Sequence, residues 1–195
     1  MLPPMRRSLL VAAVAVGAVV AALLVARQDG EDVAARVGDT TITEEDVSQT
    51  VDRINAELER EGRETAPEGS AGATRLRESA LALLVYRARI EQGAAKLGIE
   101  VSADDVRART SSGGEEQEAG VEPGAIEAVR TQLLYERIFE RVTSGLVVTP
   151  AEIAAHRRPG VDDKTIQREL LAGKREAAMQ AWLARTEKEL PVRAS

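Results

Sequence analysis

Three short stretches hold the acids best spaced for chemistry. They read Thr41-Ile42-Thr43-Glu44-Glu45-Asp46-Val47, Glu100-Val101-Ser102-Ala103-Asp104-Asp105-Val106 and Val147-Val148-Thr149-Pro150-Ala151-Glu152-Ile153. Carboxylates such as Asp46, Asp104, Asp105 and Glu152 could do acid–base work if their environments pushed their pKa values apart. Their spacing has a different explanation. In each stretch a hydroxyl residue (Thr43, Ser102, Thr149) precedes an acid by three positions, which is the capping-box spacing. β-branched residues flank each box as hydrophobic staples: Ile42 with Val47, Val101 with Val106, Val148 with Ile153. Each cap is worth about 1 kcal/mol. The acids are thereby accounted for as helix-start devices.

Little other chemistry is on offer. The chain has no cysteine and one histidine, His156. That removes disulfides, thiol catalysis, thiolate metal sites and His-based metal clusters. There is no Gly-rich phosphate loop and no nucleophile elbow. No catalytic, cofactor-binding or metal residue is therefore named, and no cofactor is expected. His156 lies near a helix end beside Arg157 and Arg158, where a surface histidine meets helix carbonyls. Arg87 falls in an apolar stripe and must snorkel or find a carboxylate, Glu57 and Glu136 being possible partners. Tyr135, Phe139 and Trp182 are too few for a cofactor box. They pack in a core or its rim, or they anchor a bound polypeptide, and they are the candidate client-contact residues.

The elements that place these residues are helical. Hydrophobic residues make up 44% of the 195 residues but aromatics only 2%, so the core must be aliphatic and Ala-rich, which favours helices. The organising stretch is Thr74 to Val106. Leu76, Leu83, Ile90 and Leu97 fall seven apart, with Ala80, Leu84 and Ala94 beside them. Gly98 can take the left-handed position after that helix, bringing Ile99 back onto Ala94. Further helices are expected from Thr43 to about Glu61, Ser102 to about Arg109, Ala125 to Ser144, Thr149 to about Arg157, and Asp162 or Asp163 to about Glu189. Gly145 is expected to stop its helix as Gly98 does. Gly38-Asp39 signals a small strand or hairpin near Val33 to Thr41. Residues 62–73 and 110–124 read as flexible loops.

Net charge is −6, and beyond residue 26 it is −8, from 24 basic and 32 acidic residues. An acidic body argues against nucleic acid as a partner. Residues 1–7 are basic, and the segment 8–27 is an uncharged run from Ser8 to Ala26 closed by Arg27. The run is long enough for a bilayer, and the basic end should stay cytoplasmic. Two readings stand: an uncleaved anchor, or a cleaved signal peptide for which Leu24-Val25-Ala26 is a poor site. Either makes the body extracytoplasmic.

The order of these features resembles a known family. Val33-Ala34-Ala35-Arg36-Val37-Gly38-Asp39-Thr40-Thr41-Ile42-Thr43 resembles the strand-turn that opens the SurA-type N-terminal chaperone domain. Arg87 and Ala94-Ala95-Lys96-Leu97-Gly98-Ile99 resemble its core helix and stop. Val101-Ser102 and Val147-Val148-Thr149 resemble its later helix starts. The resemblance runs from about Val33 to Val192, making 33–195 one domain.

That resemblance implies an all-α, mostly helical body with a small sheet from the N- and C-terminal strands; the N-terminal transmembrane helix is the expectation from residues 8–27 themselves. It implies a folding factor whose partners are unfolded or partly folded exported polypeptides. Relatives often carry a parvulin-type prolyl isomerase domain before the last helix. Here that slot holds only Arg157-Arg158-Pro159-Gly160-Val161, so no enzyme activity is expected. The reading is a membrane-tethered, single-pass, extracytoplasmic holdase. A dedicated envelope-protein scaffold subunit is the alternative, and a prolyl isomerase is the remote one.

Overall fold

A computed structural model of the chain describes residues 33–111 and 123–193. The expected anchor at 8–27 lies outside the described residues, as does most of the 110–124 loop. Among the described residues no helix is long and apolar enough to cross a membrane. The elements are β1 (Val33–Val37), β2 (Thr40–Thr43), α1 (Glu44–Arg60), α2 (Ala71–Lys96), α3 (Ala103–Ser111), α4 (Pro123–Thr143), α5 (Pro150–Ala155), α6 (Asp163–Glu189) and β3 (Val192–Arg193). They fall into two compact units, Met1–Ala88 with Pro191–Ser195, and Arg89–Leu190. Helix α2 begins in the first and ends in the second.

The first unit is built on an antiparallel sheet of order β2-β1-β3. The Gly38-Asp39 turn sets Val37 opposite Thr40 and Arg36 opposite Thr41, and β3 places Val192 opposite Val37. Alternation along the strands then decides what is buried. Ala35, Val37 and Ile42 point inward while Arg36 and Thr41 face solvent. The expected joining of N- and C-terminal strands is present. Helix α1 lays Val47 and Thr50 into this core, whereas Val51, Ile54 and Leu58 are only half-buried.

Helix α1 ends in a Schellman motif that the sequence reading missed. The Arg63 amide donates to Leu58 O (2.8 Å) and the Gly62 amide to Glu59 O (3.0 Å), with Gly62 at φ 68°. Helix α2 starts at Ala71 rather than Thr74. The reason is Ser70, whose Oγ accepts from the Ala73 amide at 3.1 Å and caps three residues of the supposed loop into the helix.

The second unit gathers the end of α2 with α3 to α6. Helix α4 packs on α3 and on α6, and α5 packs on α6. Its interior holds Ile90, Ala94, Ile99, Val101, Val106, Leu133, Leu134, Ile138, Ile166, Met179 and Trp182. Ile90, Ile138 and Ile166 are almost completely buried, each contributing about 2 kcal/mol. The expected stop after α2 forms: Ile99 N donates to Ala94 O (2.9 Å), Gly98 N to Ala95 O (3.0 Å), and Gly98 has φ 67°.

Three expectations need correction. Gly145 is not left-handed; α4 closes instead through Leu146 N donating to Thr143 O at 3.1 Å. Leu83 is 45% exposed although Ile90, one heptad on and only about 20° away around the helix, is fully buried: the spacing puts both on one stripe, and packing covers only part of it. Ala80, Ile90 and Ala94 of the expected stripe are buried, and Val85 and Ala88 are buried beside them. Finally, Arg87 takes neither carboxylate named for it: Glu57 pairs with Arg60 at 2.9 Å and Glu136 with Arg109 at 2.5 Å.

Candidate client-binding surface

The three aromatic candidates separate in the structure. Trp182 is a core residue, 6% exposed. A Cβ on Gly93 would come within 2.7 Å of Trp182 Cζ2 and 2.8 Å of its Cη2, so only glycine lets α2 approach the indole this closely. Burial withdraws Trp182 from contact with any client. Tyr135 and Phe139 are half-buried on α4 and keep an accessible edge.

Beside α4 lies an open cleft of about 510 Å³ lined by Gly98, Ile99, Glu100, Arg137, Glu140, Arg141 and Ser144. Its floor is the extended link between α2 and α3, in which Ile99 and Val101 turn inward and Glu100 and Ser102 outward. Four of the seven lining residues are charged. The exposed large hydrophobics among the described residues are single ones: Leu83, Ile126 and Val147, the last 70% exposed.

All three helix-start devices form as spaced. Thr43 and Thr149 make full capping boxes with Asp46 and Glu152. Ser102 Oγ accepts from the Asp105 amide (3.1 Å) while Asp105 Oδ2 accepts from the Ser102 amide (2.8 Å). Asp162 caps α6, its Oδ1 accepting from the Thr165 amide at 2.9 Å.

Two of these devices carry an addition that sequence reasoning did not find. Arg137 of α4 reaches Asp105 Oδ1 at 2.8 Å and also donates to Glu100 O. Lys174 of α6 reaches Glu152 Oε1 at 2.6 Å and donates to Val147 O at 2.8 Å. In both, one cation ties the capping acid to the carbonyl two residues before the cap. The Ser102 amide, then its hydroxyl, then Arg137 hold Asp105 down at about 2. Lys174, then the Thr149 amide and hydroxyl, bring Glu152 to about 2. These carboxylates stay ionised at neutral pH, which suits clamps and not proton donors. The only sequence signal was that Arg137 and Lys174 lie on the two longest helices of this unit.

His156 sits where expected, exposed at the end of α5, its Nδ1 2.8 Å from Glu152 O. The chain then passes to α6 through residues 157–162 alone. Arg157 closes this turn on Asp163 with two bonds of 2.9 and 2.7 Å, and Arg158 pairs with Glu169.

The geometry thus consists of a capped hairpin-and-helix opening, a left-handed stop, and stapled short helices clamped to long ones. The family model for the SurA-like N-terminal domain matches residues 1–121, more than half of the chain. No curated protein matches it. The matched region takes in β1, β2, α1, α2 and α3, which carry the residues on which the resemblance rested apart from Val147-Val148-Thr149, and the chain belongs to the SurA-like N-terminal domain family.

Proposed function

We propose that this protein is an extracytoplasmic holdase, tethered by residues 8–27, that binds unfolded exported polypeptides without isomerising them. Membership of the family carries the reading, since it suggests a chaperone-like, peptide-binding role and corresponds to the non-catalytic part of such factors. The short 157–162 link supports the non-catalytic half: the slot before the last helix is occupied by a turn closed on itself by Arg157 and Asp163. Binding would be weak and independent of nucleotide, using the accessible edges of Tyr135 and Phe139 on α4. Tethering would raise its effective concentration near the membrane.

The reading predicts that the full chain suppresses aggregation of several unrelated unfolded proteins at substoichiometric to stoichiometric ratios. Failure with every one would sink it. Turnover in a proline-peptide assay would overturn its non-catalytic half. Protease protection of the body in intact cells, with a membrane-bound N-terminus, tests the tether.

One observation favours the second reading, a scaffold subunit for a single envelope protein. Four of the seven residues lining the cleft are charged, and the exposed large hydrophobics among the described residues are isolated, whereas a general holdase gains from a broad apolar patch. Recovery of one stoichiometric partner, without aggregation suppression, would decide for it.

A further inference from the structure

Not one residue from Ser144 through Thr165 is buried. The stretch nevertheless contains a capped helix, α5, none of whose residues is buried. Its staple pair differs from the other two in this respect. Ile42 with Val47 and Val101 with Val106 lie in the core, whereas Val148 and Ile153 are only half-buried. Apolar burial therefore contributes little to holding α5 in place.

Charges hold it instead. Lys174 bridges Glu152 and Val147 O, and Arg158 reaches Glu169. Glu169 and Lys174 bracket the stretch of α6 along which α5 lies, and that stretch contains Leu170 and Leu171, both half-buried. Exposed ion pairs contribute about 0–1 kcal/mol each and weaken with salt. The capping box within α5 is local, but a six-residue helix is too short to persist without tertiary support, so α5 frays once the clamp opens.

We propose that residues 146–162 form a strap held on α6 by ionic contacts, which lifts off as a unit while the α4–α6 pairing stays folded. Lifting uncovers Ile153, Leu170 and Leu171 and joins them to the exposed Val147, making the apolar patch that the closed form lacks. Lys174 is the latch. The consequence for binding rests on the holdase reading; the lifting itself does not.

The test is hydrogen–deuterium exchange on the full chain, as wild type, Lys174→Gln and Lys174→Arg, at low salt and at about 1 M salt, where the Debye length is about 3 Å. In Lys174→Gln, and in wild type at high salt, amides of residues 147–158 should exchange about tenfold faster. Those of α4 and of residues 166–189 should keep their rates, and Lys174→Arg should behave as wild type. Unchanged strap exchange, or strap and bundle exchanging together, would overturn the proposal. A reduced and alkylated, permanently unfolded polypeptide then probes the patch. Lys174→Gln at low salt should bind it as tightly as wild type does at high salt, and severalfold tighter than wild type at low salt. Faster strap exchange without tighter binding would overturn the gating. Aggregation suppression by the wild type at low salt reports on the holdase reading separately.

Discussion

Lys174 Nζ stands 2.6 Å from Glu152 Oε1 while donating to Val147 O at 2.8 Å, so one ammonium spans a capping acid and the backbone that leads into the cap. Arg137 repeats the arrangement with Asp105 and Glu100. The Thr43 device is different because the backbone before it is already satisfied: Thr41 lies in β2, opposite Arg36 of β1. An extended link outside a sheet has carbonyls without such partners, and a cation from the next long helix supplies one.

Arg137→Met should therefore cost more than Arg77→Met. Arg77 makes an exposed pair with Glu44. Arg137 holds a carboxylate and a carbonyl, and its removal leaves both to water. We expect a loss of about 1–2 kcal/mol against about 0.5 kcal/mol or less. Urea denaturation of the two variants measures the difference, and equal midpoints would contradict it.

The two clamps give stability a defined acid limb. Asp105 falls from the usual 3.8 to about 2, and Glu152 from 4.5 to about 2. A folded pKa below the unfolded one contributes stability that is full above the unfolded value and lost as pH falls toward the folded one. Stability should thus decline between about pH 4.5 and 2 through these groups, with Glu136, Asp162 and Asp163, also lowered, acting in the same direction. In an Asp105→Asn/Glu152→Gln variant the slope over this range should shrink. The causes rank differently, with the Ser102 amide first for Asp105 and Lys174 first for Glu152. By NMR titration, Lys174→Gln should raise Glu152 more than Arg137→Met raises Asp105.

Gly93→Ala places a methyl group inside the van der Waals radius of the Trp182 ring. The indole is 6% exposed and has little room to yield. Overpacking of this kind costs about 1–3 kcal/mol. A shifted Trp182 fluorescence maximum should accompany the lower thermal midpoint, as this is the sole tryptophan of the chain. A wild-type midpoint would show that the two helices are not in close contact.

Two glycines that look alike should respond oppositely. Gly98→Ala forces an L-residue to φ 67° and should cost about 1 kcal/mol, although its Cβ meets nothing within 4 Å. Gly145 is not left-handed and also faces open space, so Gly145→Ala should be neutral or raise stability by about 0.4–1 kcal/mol through the unfolded chain. Thermal melts of the pair settle it.

The amino-acid sequence by itself determined what neighbours along the chain can decide. Caps at Thr43, Ser102 and Thr149, the Gly98 stop and the Gly38-Asp39 turn depend on hydrogen bonds spanning a few residues, so their spacing was enough. The same spacing carried the family resemblance. Tertiary structure alone decided which residues those local devices meet. It chose Gly93 as the seat of Trp182, Arg137 and Lys174 as clamps, and Arg89 rather than Arg87 as the arginine drawn into packing, 16% exposed and bound to Glu187 and Leu190 O. It also left Leu83 in solvent and α5 without a buried residue. Periodicity marks an apolar stripe but not which part of it a partner covers. An exposed face and a face awaiting its neighbour are written with the same residues, and only the neighbour's position separates them.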